Sequence, residues 1–247
     1  MKKELILNYL IRSYLKELNP ISSGELKKQY KLSLAPSTIR NYFQKLDSEG
    51  LIVKIHISSG SIPSQDALKS YWFDNLNFDK IKIKKSLLKD FSKEFDVFVT
   101  LKEKLNLTLN SVLNFNNRFI ILEFEKEEIV FNYSEQLFRL LNELKGYSLE
   151  NIIKFFKLLN LDITKFTLLF KIDSFNKEFL YKHYKEFQID EILSNEIFER
   201  EKGLQFKNNY LLYKIDTFID NIENEFIVIG DIRTDYLNFF NSIKEEK

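Results

Sequence analysis

Between Pro36 and Leu46 the chain reads Pro-Ser-Thr-Ile-Arg-Asn-Tyr-Phe-Gln-Lys-Leu, and Ile39, Phe43 and Leu46 fall at the three- and four-residue spacing of a buried helical stripe. Left over are Ser37, Thr38, Arg40, Asn41, Gln44 and Lys45, side chains whose hydrogen-bonding groups match those exposed by duplex DNA. The Arg40 guanidinium can fork onto guanine and the Asn41 or Gln44 amide onto adenine, while Ser37, Thr38 and Lys45 suit phosphate oxygens. Base contacts of this kind discriminate by about 1–3 kcal/mol each, and the amides at a helix start add anion affinity. A polar flank is also what an ordinary solvated helix presents, and the pattern alone leaves both readings open.

Holding such a helix requires a scaffold, and the flanking sequence supplies one. Residues 2–18 place Leu5, Ile6, Tyr9, Leu10 and Leu15 along a helix face that Asn19-Pro20 ends. Ser22-Ser23-Gly24-Glu25 offers a capping box ahead of a short second helix at 26–30. Pro36 suits the first position of the third helix and Gly50 its left-handed stop. A strand at 51–57 and the small-residue turn Ser58-Ser59-Gly60-Ser61 follow. Three short helices, a strand and a turn in that order predict a winged helix-turn-helix whose third helix enters the major groove.

Charge agrees with this division. Residues 1–72 carry eleven Lys or Arg against six Asp or Glu, a basic balance suited to a phosphate-facing surface. The whole chain is only +1, so the remainder is net acidic. With 247 residues, 44% of them apolar, there is enough material for a core. The absence of Cys excludes disulfides, thiolate metal sites and cysteine nucleophiles and suits a reducing cytoplasm. His56 and His183 are the only imidazoles. Glu4, Asn8 and Arg12 interrupt the apolar stretch that a signal peptide needs, and no run reaches the roughly 18 apolar residues of a membrane span. No Gly-x-Ser-x-Gly turn, Gly-rich phosphate loop or His-x-x-x-His pair is present, so neither an enzyme nor a metal or cofactor is expected. Glu125, Glu127 and Glu128 read as a solvated edge.

Beyond Trp72 the signal weakens. Residues 74–95 read as a polar connection, with a domain boundary near residue 80. Apolar runs at 119–122 and 129–131 bracket Glu125-Lys126-Glu127 as a hairpin would, and helical patterns follow. Phe155, Phe156, Phe179 and Tyr184 read as core rather than as a ligand cage.

The run Leu34-Ala35-Pro36-Ser37-Thr38-Ile39-Arg40-Asn41, with Leu46, Gly50 and Leu51 after it, resembles the recognition-helix signature of the HrcA heat-inducible repressors. His56, Ser58, Gly60, Ile62 and Pro63 match that family's His-x-Ser-x-Gly-x-Ile-Pro pattern, and Pro20, Ser23 and Tyr71 agree as well. Further on, Leu141-Asn142, Gly146 and Ser148-Leu149-Glu150 resemble a second family element. Gly230, Arg233, Asp235 and Tyr236 resemble its Gly-Pro-x-Arg-x-Asp-Tyr motif, with Asp231 in place of Pro. Ala35 stands where the family carries a Ser cap, and Ser61 where it carries Arg.

What the resemblance implies is an α+β chain: a winged helix-turn-helix at 1–75, then a GAF-like α/β domain at 76–247 with an inserted dimerisation segment at about 154–202. Ser23 joins the DNA-facing candidates as a family match, and Lys54, His56 or Lys69 can replace the phosphate contact that Ser61 does not offer, while a lone His near a strand end serves equally as a structural hydrogen-bond partner. The resemblance also implies a homodimer that represses chaperone genes from an inverted-repeat operator, with the chaperonin GroEL as a partner. The competing expectations are a winged-helix protein–protein adaptor and a regulator that senses a small molecule in a GAF-like pocket. Steep salt dependence of DNA binding would separate repressor from adaptor.

Overall fold

A computed structural model describes residues 2–56, 60–183 and 189–245, without the side chains of His56, Ile189 and Leu193. Ile57, Ser58 and Ser59 of the expected strand and turn lie outside the described residues, as does Tyr184. Two compact units divide the chain: Met1–Leu101 with Ser174–Asn221 and Glu225–Lys247, and Lys102–Asp173 with Ile222–Asn224.

The first unit opens with α1 (Lys2–Glu17), α2 (Ser23–Gln29) and α3 (Pro36–Ser48), then the antiparallel strands β1 (Ile52–His56) and β2 (Gly60–Pro63). Local chemistry explains each boundary. At α2 the Glu25 amide donates to Ser22 Oγ at 3.2 Å and the Ser22 amide donates to Glu25 Oε2 at 3.2 Å, the reciprocal capping box. After α3 the chain turns out through Gly50 at φ 72°, a conformation that costs glycine little. Ile39, Phe43 and Leu46 of α3 share one buried cluster with Ile6, Leu10, Ile11, Tyr14 and Leu15 of α1 and Leu26 of α2. Leu5 lies off that stripe and is 47% exposed.

The start of α3 is less well secured. Ala35 occupies the cap position and makes no side-chain hydrogen bond there. Ala35→Ser should supply the missing acceptor and stabilise the fold by about 1 kcal/mol, which a thermal melt would register as a rise of about 2–4 °C in Tm. A fall in Tm would mean that the cap geometry is not available to a serine.

From β2 the chain continues through α4 (Gln65–Asn75), β3 (Ile81–Ile83), α5 (Lys85–Glu94) and β4 (Val97–Glu103). It then makes β5 (Ser111–Phe115), β6 (Phe119–Glu123), β7 (Glu128–Asn132), α6 (Glu135–Glu143), α7 (Leu149–Leu158) and α8 (Thr164–Thr167). It returns along β8 (Ile172–Phe175) and passes the short α9 (Lys177–Lys182), α10 (Ile189–Leu193) and a 3-10 turn at Glu196–Glu199. The last elements are β9 (Gly203–Lys207), β10 (Tyr210–Ile219), β11 (Ile222–Asp231) and α11 (Tyr236–Ile243).

Among the described residues, six strands form the main sheet in the order β3-β10-β11-β4-β8, with β9 also paired to β10. β3 runs parallel to β10, Ile81 opposite Thr217, and β9 runs antiparallel to it. Leu88 of α5 and Phe239, Phe240 and Ile243 of α11 share the buried core with Val97 and Val99 of β4, Tyr213 of β10, and Phe226 and Val228 of β11. The stretch 74–95 is therefore not a connector as the sequence suggests, because Ile83 and Leu88 are both fully buried. Its apolar residues change from strand to helix spacing within a few positions, so neither period is long enough to stand out.

The second unit is a three-stranded antiparallel meander, β5-β6-β7, with α6, α7 and α8. Its core includes Leu109, Ile120, Leu122, Leu141, Leu149, Ile152, Phe156 and Phe166. Ser134 and Ser148 cap α6 and α7, accepting from the amides of Leu137 at 3.1 Å and Asn151 at 3.3 Å. The hairpin expected around Glu125-Lys126-Glu127 is β6–β7, and β5 is an additional partner. Phe156 and Phe179 are core residues and Phe155 packs partly buried against the core. Residues 154–202, expected as an insert, divide between the second unit up to Asp173 and the first from Ser174.

Candidate nucleic-acid interface

The helical repeat of α3 separates its residues cleanly. Ile39, Phe43 and Leu46 are buried, whereas Ser37, Arg40, Asn41, Gln44 and Lys45 are exposed and Thr38 is half-buried. Ser37, Arg40, Asn41 and Gln44 stand three or four residues apart and so share one stripe, with Lys45 on its flank. The stripe carries hydrogen-bond donors, acceptors and positive charge but no carboxylate. Asp47, the nearest acidic residue on α3, lies 3.9 Å from Lys54 Nζ of β1, so part of that lysine's charge is met within the protein.

The remaining candidates are distributed differently. Ser23 is only 9% exposed at the first turn of α2 and does not join the exposed stripe. Lys54 is exposed on β1. The backbone of His56 pairs with Gly60, and the His56 side chain lies outside the described residues.

A feature that sequence reasoning missed is how the strand pair is pinned. The Ile21 amide donates to the Ser61 carbonyl at 2.9 Å and the Ser61 amide donates to the Ile21 carbonyl at 3.0 Å. Ser61 is 1% exposed, so its side chain faces inward. Gly60 beside it, at φ 92°, lies so near the α1–α2 connection that a Cβ would stand 2.6 Å from the Ile21 carbonyl carbon. The signal was present in the sequence as the glycine of the His-x-Ser-x-Gly pattern.

Residues 72–247 match the family model of the HrcA C-terminal domain. The chain belongs to the HrcA family. The heat-inducible transcription repressor HrcA of Helicobacter pylori (strain ATCC 700392 / 26695) is 30% identical to it across 100% of this chain and 96% of its own length. The repressor HrcA of Helicobacter pylori (strain J99 / ATCC 700824) is 29% identical over the same shares. These alignments include the three helices and strand pair that precede the region matched by the family model. A crystal structure of a hypothetical protein at 2.2 Å resolution shares the fold with a TM-score of 0.50 and 15% identity, covering 98% of this chain and 93% of that one. The HrcA resemblance read from residues 34–51 and 230–236 is thus borne out by the full-length comparison. Among the described residues of this HrcA chain, no helix is long and apolar enough to cross a membrane.

Proposed function

We propose that residues 1–75 are a winged helix-turn-helix in which α3 reads the major groove and the β1–β2 pair is the wing, and that this chain represses heat-shock genes by occupying their operator. The observation that carries the reading is the α3 stripe: Arg40, Asn41 and Gln44 stand exposed on a helix whose opposite side is anchored by Ile39, Phe43 and Leu46. A rigid helix with base-reading side chains outward and an apolar anchor inward is what groove recognition needs. Ser37, Thr38, Lys45, Lys54 and His56 are proposed to position the helix on phosphates, and Ser23 to support it from beneath.

In this reading residues 76–247 form a GAF-like regulatory domain, and the protein acts in the cytoplasm as a homodimer on an inverted repeat, with GroEL as its chaperonin partner. Support for self-association comes from the second unit, where Leu113, Ile121 and Val130 stand opposite one another across β5, β6 and β7. Leu113 and Val130 are 43% and 42% exposed, an apolar row of the sort that a second copy can bury.

The test is the affinity of the full chain for a duplex carrying the inverted repeat ahead of the organism's chaperone operon, measured against salt. The expected result is a linear fall of log affinity with log salt, of slope about −0.9 for each phosphate contact. A protein–protein adaptor would show weak binding without preference for that duplex.

A further inference from the structure

The end of β11, the start of α11 and the turn between them carry Gly230, Asp231, Arg233, Asp235 and Tyr236, none of which belongs to the DNA-facing stripe. Together they form a socket. Tyr236, fully buried, donates its hydroxyl to the Asp231 carbonyl at 3.0 Å. The ring fits beneath Gly230, where a Cβ would come within 2.6 Å of that hydroxyl and of Val97 Cγ1. Asp231 grips Arg233 with both carboxylate oxygens, accepting from Nε at 2.8 Å and from a terminal nitrogen at 2.6 Å, and also accepts from the Arg233 amide at 2.8 Å. A bidentate pair of this kind holds a long side chain in one orientation.

The residues that meet the socket belong to the helices around the reading head. The Trp72 indole N–H of α4 donates to the Ile232 carbonyl at 2.7 Å, and its ring stands edge-on to Tyr236 with centroids 5.3 Å apart. Trp72 is fully buried. Gln65 at the start of α4 donates to the Asn208 carbonyl, and the adjoining Asn209 carbonyl accepts from the Ile232 amide at 2.7 Å. Asp231, through its side-chain hydrogen bond, strengthens the Arg233 guanidinium's hold on its proton, and Tyr14 of α1 acts in the same direction. Tyr14 in turn shares its buried cluster with Ile39, Phe43 and Leu46 of α3.

We propose that Gly230–Tyr236 is the joint that fixes the angle of the reading head on the sheet, and that Trp72, Tyr14 and Arg233 are positioning residues for binding two half-sites at once. The proposal rests on the reading of the chain as a dimeric repressor. Two linked heads gain affinity from each other only while their separation and orientation match the duplex, and a loose mounting dilutes that gain. None of the three residues is on the exposed stripe of α3, so each acts on spacing rather than on base recognition.

The experiment uses the full chain with three duplexes: the chaperone-operon inverted repeat, the same repeat with its spacer lengthened by about five base pairs, half a helical turn, and a single half-site. Arg233→Ala, Tyr14→Phe and Trp72→Phe are compared with the wild type after a thermal melt has shown them folded. Expected is a loss on the order of tenfold on the correctly spaced repeat, with less than about a twofold change on the half-site and a flattened preference for spacing. Folded variants that keep the spacing preference, or that weaken half-site and repeat alike, overturn the joint. Should Trp72→Phe not fold, the half-exposed Arg233 carries the same comparison. A wild-type chain that binds the repeat no better than the half-site sinks the dimer reading and the joint together, whereas failure in the variants alone sinks only the joint.

Discussion

Arg40→Ala is expected to lower affinity for the inverted-repeat duplex by about thirtyfold or more while leaving the melting temperature unchanged. Arg40 is exposed and outside the buried cluster that holds α3, so truncating it removes reach without opening a cavity. A bidentate guanine contact contributes about 1–3 kcal/mol of discrimination. Two copies of the contact in a dimer bring the loss to at least about 2 kcal/mol, which is the thirtyfold. The variant should also become indifferent to the base pair that Arg40 reads, and competition between duplexes altered one position at a time will show it. If every base pair keeps its wild-type preference, Arg40 serves only as a phosphate contact.

Gly60→Ala is expected to be the more damaging change to the fold, although it adds one methyl group at a partly exposed site. The added Cβ would stand 2.6 and 2.7 Å from the carbonyl carbon and oxygen of Ile21 and 3.0 Å from the Ser22 nitrogen. These are backbone atoms and cannot swing aside as a side-chain tip can. The backbone at φ 92° adds its own penalty for any residue with a Cβ. Overpacking of this kind costs about 1–3 kcal/mol and the left-handed conformation about 1–2 kcal/mol. Together they should lower Tm by about 5–20 °C in a domain of this size. DNA affinity should fall with it, since the Ile21–Ser61 hydrogen bonds that pin β2 lie next to the clash. A melt indistinguishable from wild type would show that β2 stands off from Ile21 in solution.

Legibility in the sequence followed how local each determinant is. The limits of α3 rest on Pro36 and Gly50 and its orientation on Ile39, Phe43 and Leu46, all within one short segment, so helix and exposed stripe could be read together. The capping box at Ser22 and Glu25 was equally visible. What escaped notice depended on distant partners. β3 is only three residues long and is a strand because β10 lies beside it. The inward position of Ser61 depends on its backbone pairing with Ile21, forty residues earlier in the chain, and the burial of Ser23, 9% exposed, is likewise set by its surroundings rather than by its own segment. The chemistry of the α3 face was legible as a set of side chains but ambiguous as a purpose, since solvated helices carry the same residue types. Family membership, shown by the full-length comparison, supports the DNA-facing reading proposed above.

The indole of Trp72 meets Ile232 across 160 positions of chain, and Ile81 of β3 pairs with Thr217 of β10, a somewhat shorter wait. On a ribosome adding about 5–20 residues per second, those apolar surfaces stay bare for roughly 7–30 seconds before their partners are synthesised. Contacts of such long range also slow the closing of the core once the chain is complete. The newborn molecule therefore passes through an interval in which apolar surface stands bare before its partner strands exist.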